Sequence, residues 1–178
     1  MFPVKALRDP LLAGSLEELE NFVGPFVLIQ KPPPPLLTRA LWELAQARTV
    51  PAQSRHQNGL EVLTMLTRFD DLVVATLPPL GHDAELKVGR TSECALMIPD
   101  PTVSKLHAVL RWDRTQAGCS IQDLGSSNGT FINMKDIQKE ETLLGDGDTI
   151  GFGDAQFVYL LTPTLQEQLR TTLSRESA

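Results

Sequence analysis

The stretch Ser104-Lys105-Leu106-His107-Ala108-Val109-Leu110-Arg111-Trp112, followed by Cys119-Ser120-Ile121-Gln122-Asp123-Leu124-Gly125-Ser126-Ser127-Asn128-Gly129-Thr130-Phe131-Ile132, decides how the chain is read. It holds three short β-rich runs: His107 to Trp112, Cys119 to Asp123 and Thr130 to Ile132. Asp113-Arg114 and Asn128-Gly129 are the turns between them, and Asn-Gly favours a type I′ hairpin turn whatever the function. The rhythm continues outward through Glu85 to Gly89, Thr149 to Phe152 and Gln156 to Leu161, with Gly145-Asp146-Gly147-Asp148 as a further turn. Short strands separated by turns every eight to twelve residues or so indicate a β-sandwich.

Toward the N-terminus the pattern changes. Ser15-Leu16-Glu17-Glu18 has capping-box form, and Leu16, Leu19, Phe22 and Val23 follow at helical spacing until Gly24-Pro25. Phe26 to Gln30 reads as a strand, and Pro32 to Pro35 as a stiff connector. Thr38 starts a second helix with the stripe Leu37, Ala40, Leu41, Leu44 and Ala45. Leu60 to Leu66 and Leu72 to Leu77 read as further strands. At the other end Leu165, Leu169 and Leu173 predict a terminal helix over 164–175, with a frayed tail as the alternative.

Composition limits the function. The 178 residues are 42 % hydrophobic, enough for a real core without metal or disulfide. The net charge is −6 and acidic residues outnumber basic ones in both halves, which argues against nucleic acid as a partner. Cys94 and Cys119 lack metal-ligand spacing and read as reduced, structural thiols. No apolar run approaches the roughly 20 residues of a membrane helix, and the N-terminus lacks a signal-peptide core. The expectation is a soluble, cytoplasmic protein with no membrane partner, no metal and no cofactor.

Four short pieces carry the chemistry: Gly89-Arg90, Ser104-Lys105-Leu106-His107, Asp123 to Thr130 with Asn133 beyond it, and Gly147-Asp148-Thr149-Ile150. Each alone has a plain reading, a satisfied core histidine for Ser-x-x-His and a turn for Asn-Gly or Gly-Asp. In this order they resemble the forkhead-associated (FHA) domain, over about residues 70–162. The resemblance implies a mainly β fold, a sandwich of about eleven strands whose loops hold a phosphothreonine peptide. Residues 1–69 then form an N-terminal α/β extension or small domain, with an integral extension preferred, and residues 163–178 a C-terminal tail with a helix as one of its readings.

The residue types suit that role. A phosphomonoester presents three acceptor oxygens and nearly two negative charges. Arg90 can supply a planar, bidentate donor, Ser104 and Ser127 hydroxyl donors, and Lys105 a backbone N–H and positive potential. By resemblance, Asn128 bonds the backbone of the bound peptide. Gly89, His107, Gly129, Thr130 and Asn133 are expected to support the site rather than touch phosphate. Met134 stands where the family usually has glycine, so the turn after Asn133 is expected to differ.

Three readings follow. The first is a non-catalytic phosphothreonine-binding adaptor, of stand-alone bacterial type, whose partner is a Ser/Thr kinase or its substrate. The second is a phosphate-independent scaffold or oligomerisation module using the N-terminal half or a sandwich face. An enzyme is the weakest, because Ser104 and His107 have no evident acid partner or oxyanion loop, and no catalytic residue is assigned. His56 and His82 read as exposed loop residues.

Overall fold

A computed structural model of the chain describes residues 2–3, 16–31, 73–76 and 85–176. The proline connector, the expected helix after Thr38, the expected strand over 60–66, His56 and His82 lie outside the described residues.

Two sheets face each other. The first has seven strands: β1 (Phe2–Pro3), β2 (Phe26–Gln30), β3 (Val73–Thr76), β8 (Thr130–Ile132), β9 (Lys135–Asp136), β11 (Thr149–Phe152) and β12 (Ala155–Leu161). Its order is β1-β3-β2-β12-β11-β8-β9. The second has β4 (Glu85–Gly89), β5 (Leu96–Met97), β6 (Ala108–Asp113), β7 (Gly118–Asp123) and β10 (Thr142–Leu143), in the order β10-β7-β6-β4-β5. β4 and β5 pair in parallel, and the remaining ladders are antiparallel. The described residues thus hold twelve strands against the eleven or so expected, the two-residue edge strand β1 among them.

The strands form where alternation allows burial on one face. Along β7, Cys119, Ile121 and Asp123 are buried and the residues between them are half-buried. Between the sheets lies a core that includes Phe26, Leu28, Val88, Leu110, Ile121, Phe152, Phe157 and Tyr159. Phe26 packs against Tyr159 with ring centroids 5.2 Å apart and against Trp112 at 5.5 Å.

β2 and β12 do not alternate. Phe26 to Ile29 are all buried, as are Phe157 to Leu160. Both faces of these strands are covered, which is what a continuous apolar run signals. The outer cover is a helix pair, α1 (Leu16–Val23) and α2 (Thr162–Glu176). Leu19 and Val23 of α1 and Leu165 and Leu169 of α2 pack on Val27, Ile29, Val158 and Leu160. Gly24 ends α1 in the left-handed region (φ +88°), with its N–H on Glu20 O at 2.8 Å. Thr162 then ties the two helices together, its N–H donating to Pro25 O at 3.0 Å and its Oγ1 to Gly24 O at 2.6 Å.

β2, from the stretch before residue 70, lies between β3 and β12 within the sandwich. The C-terminal segment takes the helical form of the two read from the sequence: a helix from Thr162 buries Leu165 and Leu169 to 1 % and 3 % exposure. One expectation changes. Asn128-Gly129 is not a hairpin turn: it joins β7 of one sheet to β8 of the other, and only Gly129 has positive φ. The two-residue turn of that geometry is Asn133-Met134 (φ +49° and +68°), between the paired strands β8 and β9.

Candidate functional site

The site is built where β4 ends against the loop that leads into β6. A side chain at Gly89 would overlap the carbonyl of Lys105 and come within 2.9 Å of Cys94 Sγ, so the two segments approach this closely only with glycine there. The approach is closed by Arg90 N–H donating to Ser104 O at 2.9 Å. Arg90 Nε donates to Val103 O at 3.1 Å, which aims the guanidinium and leaves its terminal nitrogens outside that bond.

His107 joins this loop to the next. It is fully buried, and its Nδ1 accepts the N–H of Ser104 at 3.0 Å. The other nitrogen, Nε2, therefore carries the ring proton and donates to Gly129 O at 3.0 Å. Burial holds the pKa of His107 below its ordinary value, against the opposing pull of the Gly129 carbonyl and of the Asp123 carboxylate 4.0 Å from Nε2. The ring stands edge-on to Phe152, with centroids 5.7 Å apart.

Asp123, only 6 % exposed, shapes the second loop. Its Oδ1 accepts the N–H groups of Gly125 (2.7 Å) and Ser126 (2.9 Å), and its Oδ2 accepts the hydroxyls of Ser126 and Thr130, both at 2.6 Å. Burial raises the pKa of this carboxyl, but the four hydrogen bonds outweigh it and hold the pKa below the usual carboxylate range. Ser126 Oγ in turn accepts Gly129 N–H at 3.0 Å, and Gly129 occupies the left-handed region at φ +80°.

The two loops enclose one open concavity of about 370 Å³. Arg90, Ser104, Lys105, Ser127 and Asn128 all line it, together with the segment from Pro101 to Val103 and Leu106. Ser127 N–H donates to Ser104 Oγ at 3.0 Å, and the two hydroxyls, from different loops, are 3.5 Å apart. Asn128 Nδ2 donates to Thr102 O at 2.7 Å. Two cations and paired hydroxyls around one opening are donor types that suit a tetrahedral oxyanion.

Gly89, His107, Gly129 and Thr130 are absent from the lining and lie behind it. Asn133 is elsewhere: its Nδ2 donates to Asp148 Oδ1 at 2.8 Å and its Oδ1 accepts Thr149 N–H at 3.0 Å, fastening the β8–β9 turn to β11. Two organising residues escaped the sequence reading. Asp123 is signalled by the Asp-x-Gly-Ser form of a side-chain-capped turn, and Thr102 by the Asp-Pro-Thr run at 100–102. Among the described residues, no group of three or more His, Cys, Asp or Glu side chains could hold a metal ion, and no helix is long and apolar enough to cross a membrane.

Known proteins resemble the chain in the same region. The family model of the FHA domain matches residues 86–153. The glycogen accumulation regulator GarA of Mycobacterium tuberculosis is 31 % identical over 119 residues, covering 64 % of this chain and 71 % of GarA. FhaA, an FHA domain-containing protein of the same organism, is 37 % identical over 71 residues, covering 40 % of this chain but only 13 % of FhaA. The solved FhaA FHA domain, in complex with the intracellular domain of Rv3910, is 30 % identical, with a TM-score of 0.42 over 49 % of this chain and 87 % of that one. With the GarA likeness spanning most of that protein and the family model centred on the two loops of the concavity, the chain belongs to the FHA domain family.

Proposed function

We propose that this protein is a phosphothreonine-peptide-binding adaptor in Ser/Thr kinase signalling, non-catalytic and working in the cytoplasm. One observation carries this reading: Arg90 at the end of β4, Ser104 and Lys105 before β6, and Ser127 and Asn128 before β8 line the same concavity. Arg90 is the anchor of the phosphate, Ser104 and Ser127 give hydroxyl donors, and Lys105 adds positive potential at the rim. Asn128 holds the peptide backbone. Gly89, His107, Gly129 and Thr130 keep the loops in place, and Asn133 supports the sandwich from a distance.

Two kinds of relative carry regulators' names: GarA, a glycogen accumulation regulator, and the oxoglutarate dehydrogenase inhibitor of Corynebacterium diphtheriae, 33 % identical over half of that protein's length. That supports a regulatory partner carrying phosphothreonine, a Ser/Thr kinase or its substrate. The FHA unit is taken to begin at β2 rather than at residue 70, with α1 and α2 as its cover.

The test is fluorescence anisotropy with phosphothreonine peptides degenerate at the third residue after the phosphothreonine. Phosphoserine and unphosphorylated versions, and the Arg90→Ala protein, are run alongside. Binding that needs both the phosphate and Arg90 is expected. Equal binding by wild type and Arg90→Ala, or none by folded wild type, would overturn the reading.

A further inference from the structure

The concavity contains a polar side chain whose orientation is set by the loop facing its own. Asn128 Nδ2 donates to the backbone carbonyl of Thr102 at 2.7 Å. An amide with its nitrogen on a carbonyl cannot flip without placing Oδ1 against that oxygen, so the position of Oδ1 is fixed as well. What holds the Thr102 carbonyl therefore decides what Asn128 presents.

Thr102 is held on three sides. Its N–H and its Oγ1 both donate to Asp100 Oδ1, at 2.8 and 2.6 Å. Its Oγ1 accepts the N–H of Asp154 at 2.9 Å. Asp154 belongs to the tight turn between β11 and β12, far away in sequence. The preceding residue, Gly153 (φ +57°), leaves room for this contact: a Cβ there would stand 2.7 Å from the Thr102 carbonyl oxygen and 2.8 Å from its Oγ1. Gly153 N–H also donates to Gly129 O at 3.1 Å, so the same turn touches the loop that bears Asn128. The β11–β12 turn, Thr102 and Asn128 thus form one hydrogen-bonded chain ending in the concavity.

We infer that Thr102 is a positioning residue, held by Asp100 and by the Gly153-Asp154 turn, and that it fixes Asn128 so that Oδ1 accepts one backbone N–H of the bound peptide. This rests on the phosphopeptide reading above. It adds a requirement that the phosphate chemistry does not impose: one peptide N–H near the phosphothreonine must be present, and proline at that position is excluded. Leaving that N–H without an acceptor, or Oδ1 without a donor, costs more than a neutral contact would gain.

The experiment is an amide-to-ester scan of a binding phosphothreonine peptide, one backbone N–H at a time, against wild type, Asn128→Ala, Thr102→Val and Thr102→Ser. An ester removes the donor without adding bulk. For wild type, one ester position is expected to weaken binding by about tenfold. At that position the loss should fall to within about twofold in Asn128→Ala, because the acceptor is already gone. Thr102→Val, which loses both Oγ1 contacts, should bind the all-amide peptide about fivefold more weakly and shrink the ester effect, while Thr102→Ser restores both. If all-amide peptides bind but every ester costs the same in wild type and Asn128→Ala, the inference fails and the phosphopeptide reading stands. The inference fails in the same way if Thr102→Val keeps the full ester effect. If no phosphorylated all-amide peptide binds, both fail together.

Discussion

The loop end of the sandwich and the outer face of its larger sheet are held by opposite kinds of force. At the loop end the contacts are directional. Asp123 binds four donors, His107 bridges Ser104 and Gly129, and Asn128 is held by Thr102. On the outer face, Leu19, Val23, Val27, Ile29, Val158, Leu160, Leu165 and Leu169 bury apolar area, with polar bonds where the helices meet the sandwich, such as Thr162 to Gly24 and Thr164 to Asp146. The hydrophobic effect is proportional to area and indifferent to angle, so it can cover a sheet but cannot aim a donor. Buried hydrogen bonds lose most of their worth when bent, so a network of them fixes side chains to a fraction of an ångström.

Substitutions should separate the two regions. The largest effect is expected from Asp123→Ala, which strips four donors of their acceptor. It should lower stability by about 3–4 kcal/mol and abolish phosphopeptide binding. Urea unfolding checks this, and a loss under about 1 kcal/mol would mean that the loop keeps its shape without the carboxylate. Leu165→Ala, on the opposite region, should cost about 2–3 kcal/mol through the cavity it leaves. Its peptide affinity, measured well below its unfolding midpoint, should stay within twofold or so of wild type, because no aimed donor has moved. Arg90→Ala inverts that pattern. Arg90 is exposed, so the unfolding midpoint should hardly shift, while binding should lose about 2–3 kcal/mol with its charged donor.

Acid should also divide the regions. The pKa of His107 is lower in the folded protein than the ordinary 6.5, so the unfolded chain takes up the proton first. Stability should therefore hold above pH 6.5 and fall as the pH drops below it, by at most about 1.4 kcal/mol per pH unit for this one group. Asp123 acts in a separate window: its lowered pKa keeps its contribution intact above the unfolded value of 3.8 and loses it only on further acidification. Urea midpoints between pH 7.5 and 5 measure the first effect. The double variant H56Q/H82Q should retain the slope, and a flat profile would remove His107 as the acid-sensitive joint. The smallest effect is expected at Met134, held at φ +68° in a two-residue turn. Met134→Gly should raise stability by about 0.5–1 kcal/mol by relieving the left-handed strain. No gain in the urea midpoint would show that the turn carries none.

Much of this was legible beforehand because it is local. Alternation and turn residues marked β4, β6, β7, β8, β11 and β12, and the Leu165 and Leu169 spacing marked α2. Five of the residues that line the concavity could be picked out by chemical type and by family resemblance. Other features are long-range and left no local trace. Phe26 to Gln30 reads as a strand by itself, but nothing in it says that it lies beside β12 from the far end of the chain. Asn128-Gly129 has the composition of a hairpin turn, and only the change of sheet between β7 and β8 forbids one. Thr102 has a local signal in Asp-Pro-Thr, but its hold by Asp154, 52 residues on, has none.

The sequence by itself determined the strand rhythm, the helical stripes and the supply of donors for an anion, because periodicity and side-chain chemistry are properties of neighbouring residues. The tertiary structure alone decided which loops share the concavity, which way Asn128 points, and that both faces of β2 and β12 are dry. Those depend on the closure of contacts such as Ser104 to Ser127, Thr102 to Asp154 and Thr162 to Gly24, which exist only once distant segments have packed.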